Sequence, residues 1–147
     1  MKPAHRVRLI ANALNLSTLL GLLVGVAGRA RLSRGPDGLL LGSGYRLGLP
    51  PAPVFTLGNV ILIRSTPAIF DRRPALLAHE SRHASQYAVC LGPVMLPLYA
   101  LAAGWSWLRT GDPASRNIFE IHAGLLDGGY IEHPLRPVFR RGDGEEL

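Results

Sequence analysis

The stretch His79-Glu80-Ser81-Arg82-His83 is the most informative part of this chain, because it places two imidazoles four residues apart with a carboxylate between them. Residues four apart on an α-helix project from one face, so both rings can reach a single metal ion. The flanking residues 74–78 and 84–90 are good helix formers, with Pro at a first-turn position. The spacing predicts a metal-binding helix. The alternative is a surface helix with an ordinary polar face.

This arrangement predicts a definite chemistry. Neutral imidazoles at His79 and His83 suit Zn²⁺, which lowers the pKa of a bound water to roughly 7. On a regular helix Glu80 lies too far from the metal to be a ligand, so we expect it to act as the general base and to pass the proton to a leaving amine. The motif therefore predicts zinc-dependent hydrolysis of a peptide or protein substrate.

A third ligand must come from further along the chain. Gln86 and Val89 stand where a metzincin-type continuation needs Gly and His. Glu120 is the candidate, on a second helix expected after the breaker at residues 111–113. Two His and one Glu leave the fourth zinc position open for water. The alternative is that Glu120 closes a capping box with Asn117.

Two segments resemble a known family. The strand V-F-T-L-G-N-V-I at residues 54–61 is similar to an F-T-x-G-x-x-I strand, and residues 76–86 are similar to an L-L-x-H-E-x-x-H-x-x-Q helix. Both patterns occur in the gluzincin-type metallopeptidase domain of extracellular contractile injection system core proteins. Residues 53–130, about half of the chain, look like this domain.

The resemblance implies a zincin-like fold, with His79 and His83 as ligands, Glu80 as base and Glu120 as third ligand. Gluzincins often have an Asp at the position that Gly124 occupies in this chain. Asp127, one turn later, is the candidate to orient a ligand in its place.

Three further residues are candidates for the site. Gln86, one turn beyond His83, is predicted to bind substrate, with a place on the polar helix surface as the alternative. Asn59 opens an expected edge strand at residues 59–63 that can hold an extended peptide, and a plain core strand is equally compatible. Tyr130 is predicted to stabilise the oxyanion.

The expected fold is a single α+β domain. An apolar helix is predicted over residues 5–27, and strands over 39–41, 45–47 and 55–63 are predicted to form a small antiparallel sheet on the motif helix. The expected division is an N-terminal helix with basic flanks at 1–34, a metallopeptidase-like core at 35–133 and a tail at 134–147, of which residues 140–147 are expected to be disordered.

Two uncharged stretches raise the question of a membrane. Residues 9–28 are long enough to span a bilayer, but four polar residues interrupt them, so anchoring and soluble packing both stay open. No A-x-A cleavage site follows, so a cleavable signal peptide is not expected. A single span at residues 91–108 would separate His83 from Glu120 by about 30 Å of hydrocarbon, which the zinc hypothesis excludes. The chain is expected to be membrane-associated or cytoplasmic.

The charge pattern fits a membrane surface as partner. Sixteen Lys and Arg against ten Asp and Glu give a net charge of +6, but the basic residues are scattered and no nucleic-acid motif is present. No nucleic-acid partner is expected. The alternative to a peptidase is a non-catalytic, zinc-stabilised, membrane-associated structural or adaptor module.

Overall fold

The computed structural model describes residues 1–140, and the charged end of the tail, residues 141–147, lies outside the described residues. The chain divides into two units, Met1–Met95 and Leu96–Leu147. The expectation of a single domain stays a prediction. The α+β class is confirmed by the helices and the sheet of the first unit.

The first unit contains a four-stranded mixed sheet. Its strands are β1 (Arg31–Arg34), β2 (Leu40–Ser43), β3 (Val54–Leu57) and β4 (Val60–Ile63), in the order β1-β2-β4-β3. The pairs β1–β2 and β3–β4 are antiparallel, whereas β2 and β4 are parallel. The prediction of an antiparallel sheet is therefore wrong at its centre.

Strand β4 forms the middle of the core. All four of its residues are 0 % exposed, because helices cover both faces of the sheet. Ile61 and Ile63 belong to a cluster with Phe70, Leu76 and Ala84 on one face. The prediction that residues 59–63 form an edge strand is wrong, since β4 lies between β2 and β3.

The other face of the sheet is covered by α2 (Ser17–Ala27). A Cβ at Gly21 would lie 2.5 Å from the carbonyl oxygen of Leu57 and 2.8 Å from Cβ of Val60, so only glycine permits this approach of helix to sheet. The turn between β3 and β4 has the same constraint, because Gly58 has φ +60° and its Cβ would meet Ser17 at 2.5 Å.

The predicted strands at residues 45–47 and 55–63 differ from the structure. Residues 45–47 form no strand, and the outer strand is β1 instead, whose exposed polar residues gave no signal. Residues 55–63 are two strands of a hairpin, because Gly58 and Asn59 form a two-residue turn between Leu57 and Val60.

The predicted N-terminal helix is two helices. Helix α1 (Pro3–Leu14) and α2 meet at an angle of 71°. Leu16 has φ +67°, and the side chain of Asn15 accepts hydrogen bonds from the backbone N–H and the hydroxyl of Ser17 at 3.0 and 2.7 Å. Asn15 thus ends α1, and its side chain stabilises the turn into α2, as asparagine does at turns.

Two buried amides join these helices to the rest of the unit. Nδ2 of Asn12 donates to the carbonyl of Ala84 at 2.8 Å and to Oδ1 of Asn59 at 3.0 Å. Nδ2 of Asn59 in turn donates to the carbonyl of Leu9 and the hydroxyl of Thr18. This amide pair links α1, α2 and the β3–β4 turn to the motif-bearing helix.

The remaining helices of the first unit are α3 (Ile69–Arg72) and α4 (Pro74–Val89), followed by a 3₁₀ turn at Gly92–Val94. Helix α4 buries Leu76 and Ala84 against the sheet. Pro74 occupies its first turn, where a missing N–H has no cost.

The second unit contains α5 (Met95–Thr110) from its second residue onward, α6 (Ile118–Ala123) and a 3₁₀ turn at Pro137–Phe139. Asp112 organises the link between the two helices, because its Oδ1 accepts hydrogen bonds from the N–H groups of Ala114 and Ser115 at 2.9 and 2.7 Å. Ser106 donates to the Asp112 carbonyl at 2.7 Å, which ties α5 to this turn.

Within residues 1–140, no single helix has the length and apolar composition needed to cross a membrane. Two pairs of consecutive helices, each interrupted by a break, reach that length only when they are joined: Pro3–Leu14 with Ser17–Ala27, and Pro74–Val89 with Gly92–Thr110.

Replacing Asn12 by Ala should destabilise the protein. The change removes two buried hydrogen bonds and leaves the carbonyl of Ala84 and the amide of Asn59 short of a donor, so we expect the free energy of unfolding to fall by about 2 to 4 kcal/mol. Urea unfolding measures the difference. Ser85→Ala, at an exposed position of α4, is the control and should change it by less than about 0.5 kcal/mol. Equal effects of the two substitutions would contradict the role given to Asn12.

Candidate metal centre

Helix α4 carries the motif on its buried side. His79, Glu80 and His83 are only 2 %, 3 % and 8 % exposed. Polar groups with this degree of burial need partners, because an unmatched one costs free energy comparable to a lost hydrogen bond. Tyr87, one turn after His83, is also buried, and burial raises the pKa of its hydroxyl, which keeps it a neutral phenol.

The two imidazoles of the motif lie side by side. Their Nε2 atoms are 3.0 Å apart, and their rings are nearly perpendicular, at 88° with centroids 4.5 Å apart. Two nitrogen ligands of one tetrahedral Zn²⁺, each about 2.0–2.1 Å from the ion, lie about 3.3 Å apart. The rings of His79 and His83 are therefore within a few tenths of an ångström of the spacing that zinc needs.

Gln86 fixes the tautomer of His83. Nδ1 of His83 is 2.8 Å from Oε1 of Gln86, and with the Gln86 amide in this orientation its oxygen accepts and Nδ1 carries the hydrogen. The lone pair of the neutral ring is then on Nε2, which points toward His79. Metal-binding histidines are commonly oriented by such a bond from the other ring nitrogen.

Thr56 on strand β3 holds the carboxylate of Glu80. Its hydroxyl donates to Oε2 of Glu80 at 2.6 Å and lies 3.3 Å from the Glu80 carbonyl oxygen. Both contacts are buried, so the carboxylate has a defined position beside strand β3. The sheet thus fixes the side-chain rotamer of Glu80, which the helix alone would not fix.

Glu120 lies in the first turn of α6 and is 2 % exposed. The hydroxyl of Tyr99 on α5 donates to its Oε1. Asn117 caps this helix through Oδ1, which accepts from the N–H of Phe119 at 3.0 Å, but the Asn117 N–H donates to the carbonyl of Ala114. Glu120 therefore does not complete the capping box that the sequence left open as an alternative.

The structure brings the three predicted ligands together. One nitrogen each of His79 and His83 and one carboxylate oxygen of Glu120 all lie within 4.8 Å of one another, and all three residues are buried. Such a set of two imidazoles and one carboxylate can hold a divalent cation such as Zn²⁺.

Two other predicted site residues follow α6. Gly124, with φ +89°, ends this helix, so Asp127 is not on the helical face that spacing predicted for it. Asp127 lines a cavity of about 450 Å³ with Ser115, Leu125 and neighbouring residues of the second unit. The backbone of Tyr130 donates to the carbonyl of Leu125 at 3.0 Å and closes the turn. The roles assigned to Asp127 and Tyr130 stay predictions.

Asn59, the remaining predicted substrate-binding residue, is 1 % exposed. Its side-chain bonds to Asn12, Leu9 and Thr18 are those of a core position. These contacts favour the alternative that the sequence left open for this segment, a plain core sheet.

Sequence reasoning missed Thr56 and Tyr99. Thr56 had a signal, since a hydroxyl in an otherwise apolar strand needs a buried partner, and strand alternation places it on the face toward α4. Tyr99 had a weaker one, as the lone phenol in the uncharged stretch 91–108. Neither signal identifies the carboxylate that each hydroxyl contacts.

Comparison with known proteins gives no match: no protein-family model, no curated protein and no solved structure is significantly similar to the chain. The resemblance to the gluzincin-type domain therefore stays a prediction from two sequence patterns.

Removing any one of the three candidate ligands should remove the metal. We expect the purified chain to bind about one Zn²⁺, and His79→Ala, His83→Ala or Glu120→Ala to weaken binding by about 100-fold or more. Isothermal titration calorimetry with a zinc salt measures the affinity. His122→Ala is the matched control, because this histidine is exposed on the same short helix as Glu120. A wild-type chain without zinc affinity, or an equal loss in the control, would exclude the site.

Gln86→Ala should weaken zinc binding by about 10- to 100-fold, because His83 loses the acceptor that fixes its tautomer. Gln86→Glu keeps an acceptor and should retain the affinity. The same calorimetric titration checks both, with the exposed neighbour Ser85→Ala as control. Unchanged affinity in Gln86→Ala would show that this bond does not orient the ring.

Proposed function

We propose that this chain is a zinc-dependent peptidase with a zincin-like site. One observation carries the proposal: His79, His83 and Glu120 are buried with ligand atoms within 4.8 Å of one another. Three protein ligands of this kind are the set used by catalytic zinc sites, whereas structural zinc sites usually have four. The donor set therefore fits a catalytic ion better than a structural one.

The residues of the chain have separate tasks in this proposal. When bound, Zn²⁺ supplies a Lewis acid that lowers the pKa of a coordinated water and polarises a carbonyl. His79, His83 and Glu120 hold the ion, and Gln86 keeps His83 in the tautomer with its lone pair on Nε2. Tyr99 donates to Glu120 and fixes the orientation of that carboxylate.

Glu80 is the general base of the proposed reaction. The hydroxyl of Thr56 donates a hydrogen bond to Oε2 of Glu80 at 2.6 Å. Glu80 follows His79 in the sequence and is buried, as both motif histidines are. A carboxylate held in this way can accept the proton of an attacking water and deliver it to the leaving amine. Tyr130 remains the proposed donor to the oxyanion.

Strand β3 favours a peptide as the substrate. It stands at the end of the strand order in the described sheet, and Thr56, which holds Glu80, is one of its four residues. An extended peptide that adds to such an edge by main-chain hydrogen bonds would lie beside the general base. This replaces the assignment of the substrate-binding strand to residues 59–63.

A non-catalytic zinc module is the second candidate, and the burial of the site favours it. The three ligands are between 2 % and 8 % exposed, so the ion would have little contact with bulk water as the site stands. In that case zinc would stabilise the fold and Glu80 would serve as a partner of Thr56. Turnover separates the two candidates.

Glu80→Gln tests the catalytic role directly. The amide keeps the shape of the side chain but cannot accept a proton, so we expect zinc content to persist while peptide cleavage falls by about 100- to 10,000-fold. Mass spectrometry of a diverse peptide mixture measures cleavage, and elemental analysis measures zinc. Glu132→Gln makes the same change at an exposed carboxylate that pairs with Arg116 and should cleave like the parent.

The possible results of this experiment have different meanings. Zinc binding without cleavage by the parent chain would favour the structural module. Equal cleavage by the parent and by Glu80→Gln would remove Glu80 from the mechanism. If Glu80→Gln lost zinc, its cleavage rate would say nothing about the general base. Thr56→Val would then be the test, because it releases the Glu80 carboxylate without changing it. We expect reduced cleavage by Thr56→Val.

A further inference from the structure

The two N-terminal helices have inverted polarity. Their buried residues are polar or glycine: Arg8 and Asn12 on α1, and Ser17, Gly21 and Gly25 on α2. Their exposed residues include a set of large apolar side chains, which we call the apolar stripe: Val7, Ile10, Leu14, Leu16, Leu19, Leu23 and Val26. A helix on the surface of a water-soluble domain shows the opposite arrangement.

The polar side of α1 makes several hydrogen bonds within the first unit. The guanidinium of Arg8 donates to the hydroxyl of Ser81 at 2.8 Å and to the carbonyl of Asp37 at 2.7 Å. Asn12 and Asn15 donate to the carbonyls of Ala84 and Tyr87 on α4 at 2.8 and 3.2 Å. These bonds fix the rotation of α1, so its apolar side must face outward.

The apolar stripe follows one face of each helix. Within each helix its members recur at three- and four-residue intervals, with Leu16 at the break between the helices, and each is between 49 % and 78 % exposed. Apolar patches of this extent on a protein surface mark a binding face for a membrane or a partner. The opposite face is covered by the sheet and by α4, so the helices can contact a membrane from one side only.

Charge decides what covers the stripe. Residues 1–36 contain six Lys and Arg residues and no Asp or Glu. Lys2 and Arg6 are exposed at the start of α1, and Arg29, Arg31 and Arg34 are exposed after α2. The stripe is thus bordered by cations at both ends, which is the pattern of helices that lie in the surface of an anionic bilayer.

We propose that α1 and α2 dock the first unit on an anionic lipid bilayer, lying in the interface with the apolar stripe at the acyl boundary and the basic ends among the headgroups. A second copy of the chain is a poorer occupant, because a symmetric contact would bring the two sets of cations together. Docking requires neither zinc nor peptide hydrolysis.

A fluorophore on the stripe tests the proposal. Cys90 is the only cysteine, so Leu23→Cys in a Cys90→Ser background takes one polarity-sensitive label. The vesicles are phosphatidylcholine with about 30 mol% phosphatidylglycerol, and phosphatidylcholine alone for comparison. We expect the emission to shift to shorter wavelength with anionic vesicles. Leu49→Cys, at an exposed apolar position in the loop between β2 and β3, should not shift.

Co-sedimentation of the unlabelled chain with the same vesicles measures its partition coefficient between water and the bilayer. Leu14→Ser or Leu23→Ser should each reduce the partition coefficient by about tenfold. Arg29→Gln or Arg31→Gln should each reduce it by about fivefold at low salt and less at high salt. Leu49→Ser and Arg72→Gln, exposed positions outside the two helices, are the controls and should bind like the parent.

Several outcomes would overturn the proposal. Equal binding by the stripe variants and the controls would remove the apolar stripe from the contact. A spectral shift that develops without vesicles and grows with protein concentration would assign the stripe to a second copy. No binding to anionic vesicles would leave a protein partner as the occupant. His79→Ala should bind vesicles normally, so failure of the zinc site and failure of docking are distinguishable.

Discussion

The hydrogen-bonded amides of Asn12 and Asn59 are the constraint on which the first unit depends. Asn12 donates to the backbone of α4 and to Asn59, and Asn59 donates to the backbone of α1 and to Thr18 of α2. Both amides are at most 1 % exposed. Because an unpaired buried amide group costs free energy, these four bonds favour one arrangement of the two helices, the β3–β4 turn and α4, in which only Oδ1 of Asn12 among the atoms of the two amides has no hydrogen-bond partner in the described residues.

This constraint has consequences on both sides of α4. On the sheet side, it sets α4 at the distance where Thr56 reaches Glu80 at 2.6 Å. Toward the N-terminal helices, it turns the polar face of α1 to α4 and leaves its apolar face outside. The same buried polar contacts therefore position both the candidate metal helix and the candidate membrane face. Hydrophobic burial alone would have favoured the reverse orientation of α1, with its apolar side inward.

Much of the candidate site follows from the sequence, and most of the sheet does not. The spacing of His79 and His83 and the choice of Glu120 anticipate the group that the structure brings together. That it holds a metal stays a prediction. Helix periodicity suffices for the first pair, because residues four apart share a face whatever surrounds them.

The sheet depends on pairing between distant segments, which local patterns do not contain. Strand β2 pairs with β4 and skips β3, so the order could not be read from consecutive strands. Residues 9–28 are uncharged throughout, so hydropathy predicts one continuous helix. The break at Asn15 depends on hydrogen bonds from Ser17 to the Asn15 side chain, which hydropathy does not register. The spacing of Arg8, Asn12 and Asn15 on one helical face was the signal that this face is polar and buried.

Docking and hydrolysis, if both hold, are connected through the backbone of α4 and not through the ligands. The bonds from α1 end on the carbonyls of Ala84 and Tyr87 and on the hydroxyl of Ser81, none of which is a candidate ligand. Loss of side chains from the apolar stripe therefore leaves the geometry of His79 and His83 intact, since the stripe and the polar contacts lie on opposite faces of α1. A bilayer beneath α1 would place α4 one helix layer away from lipid.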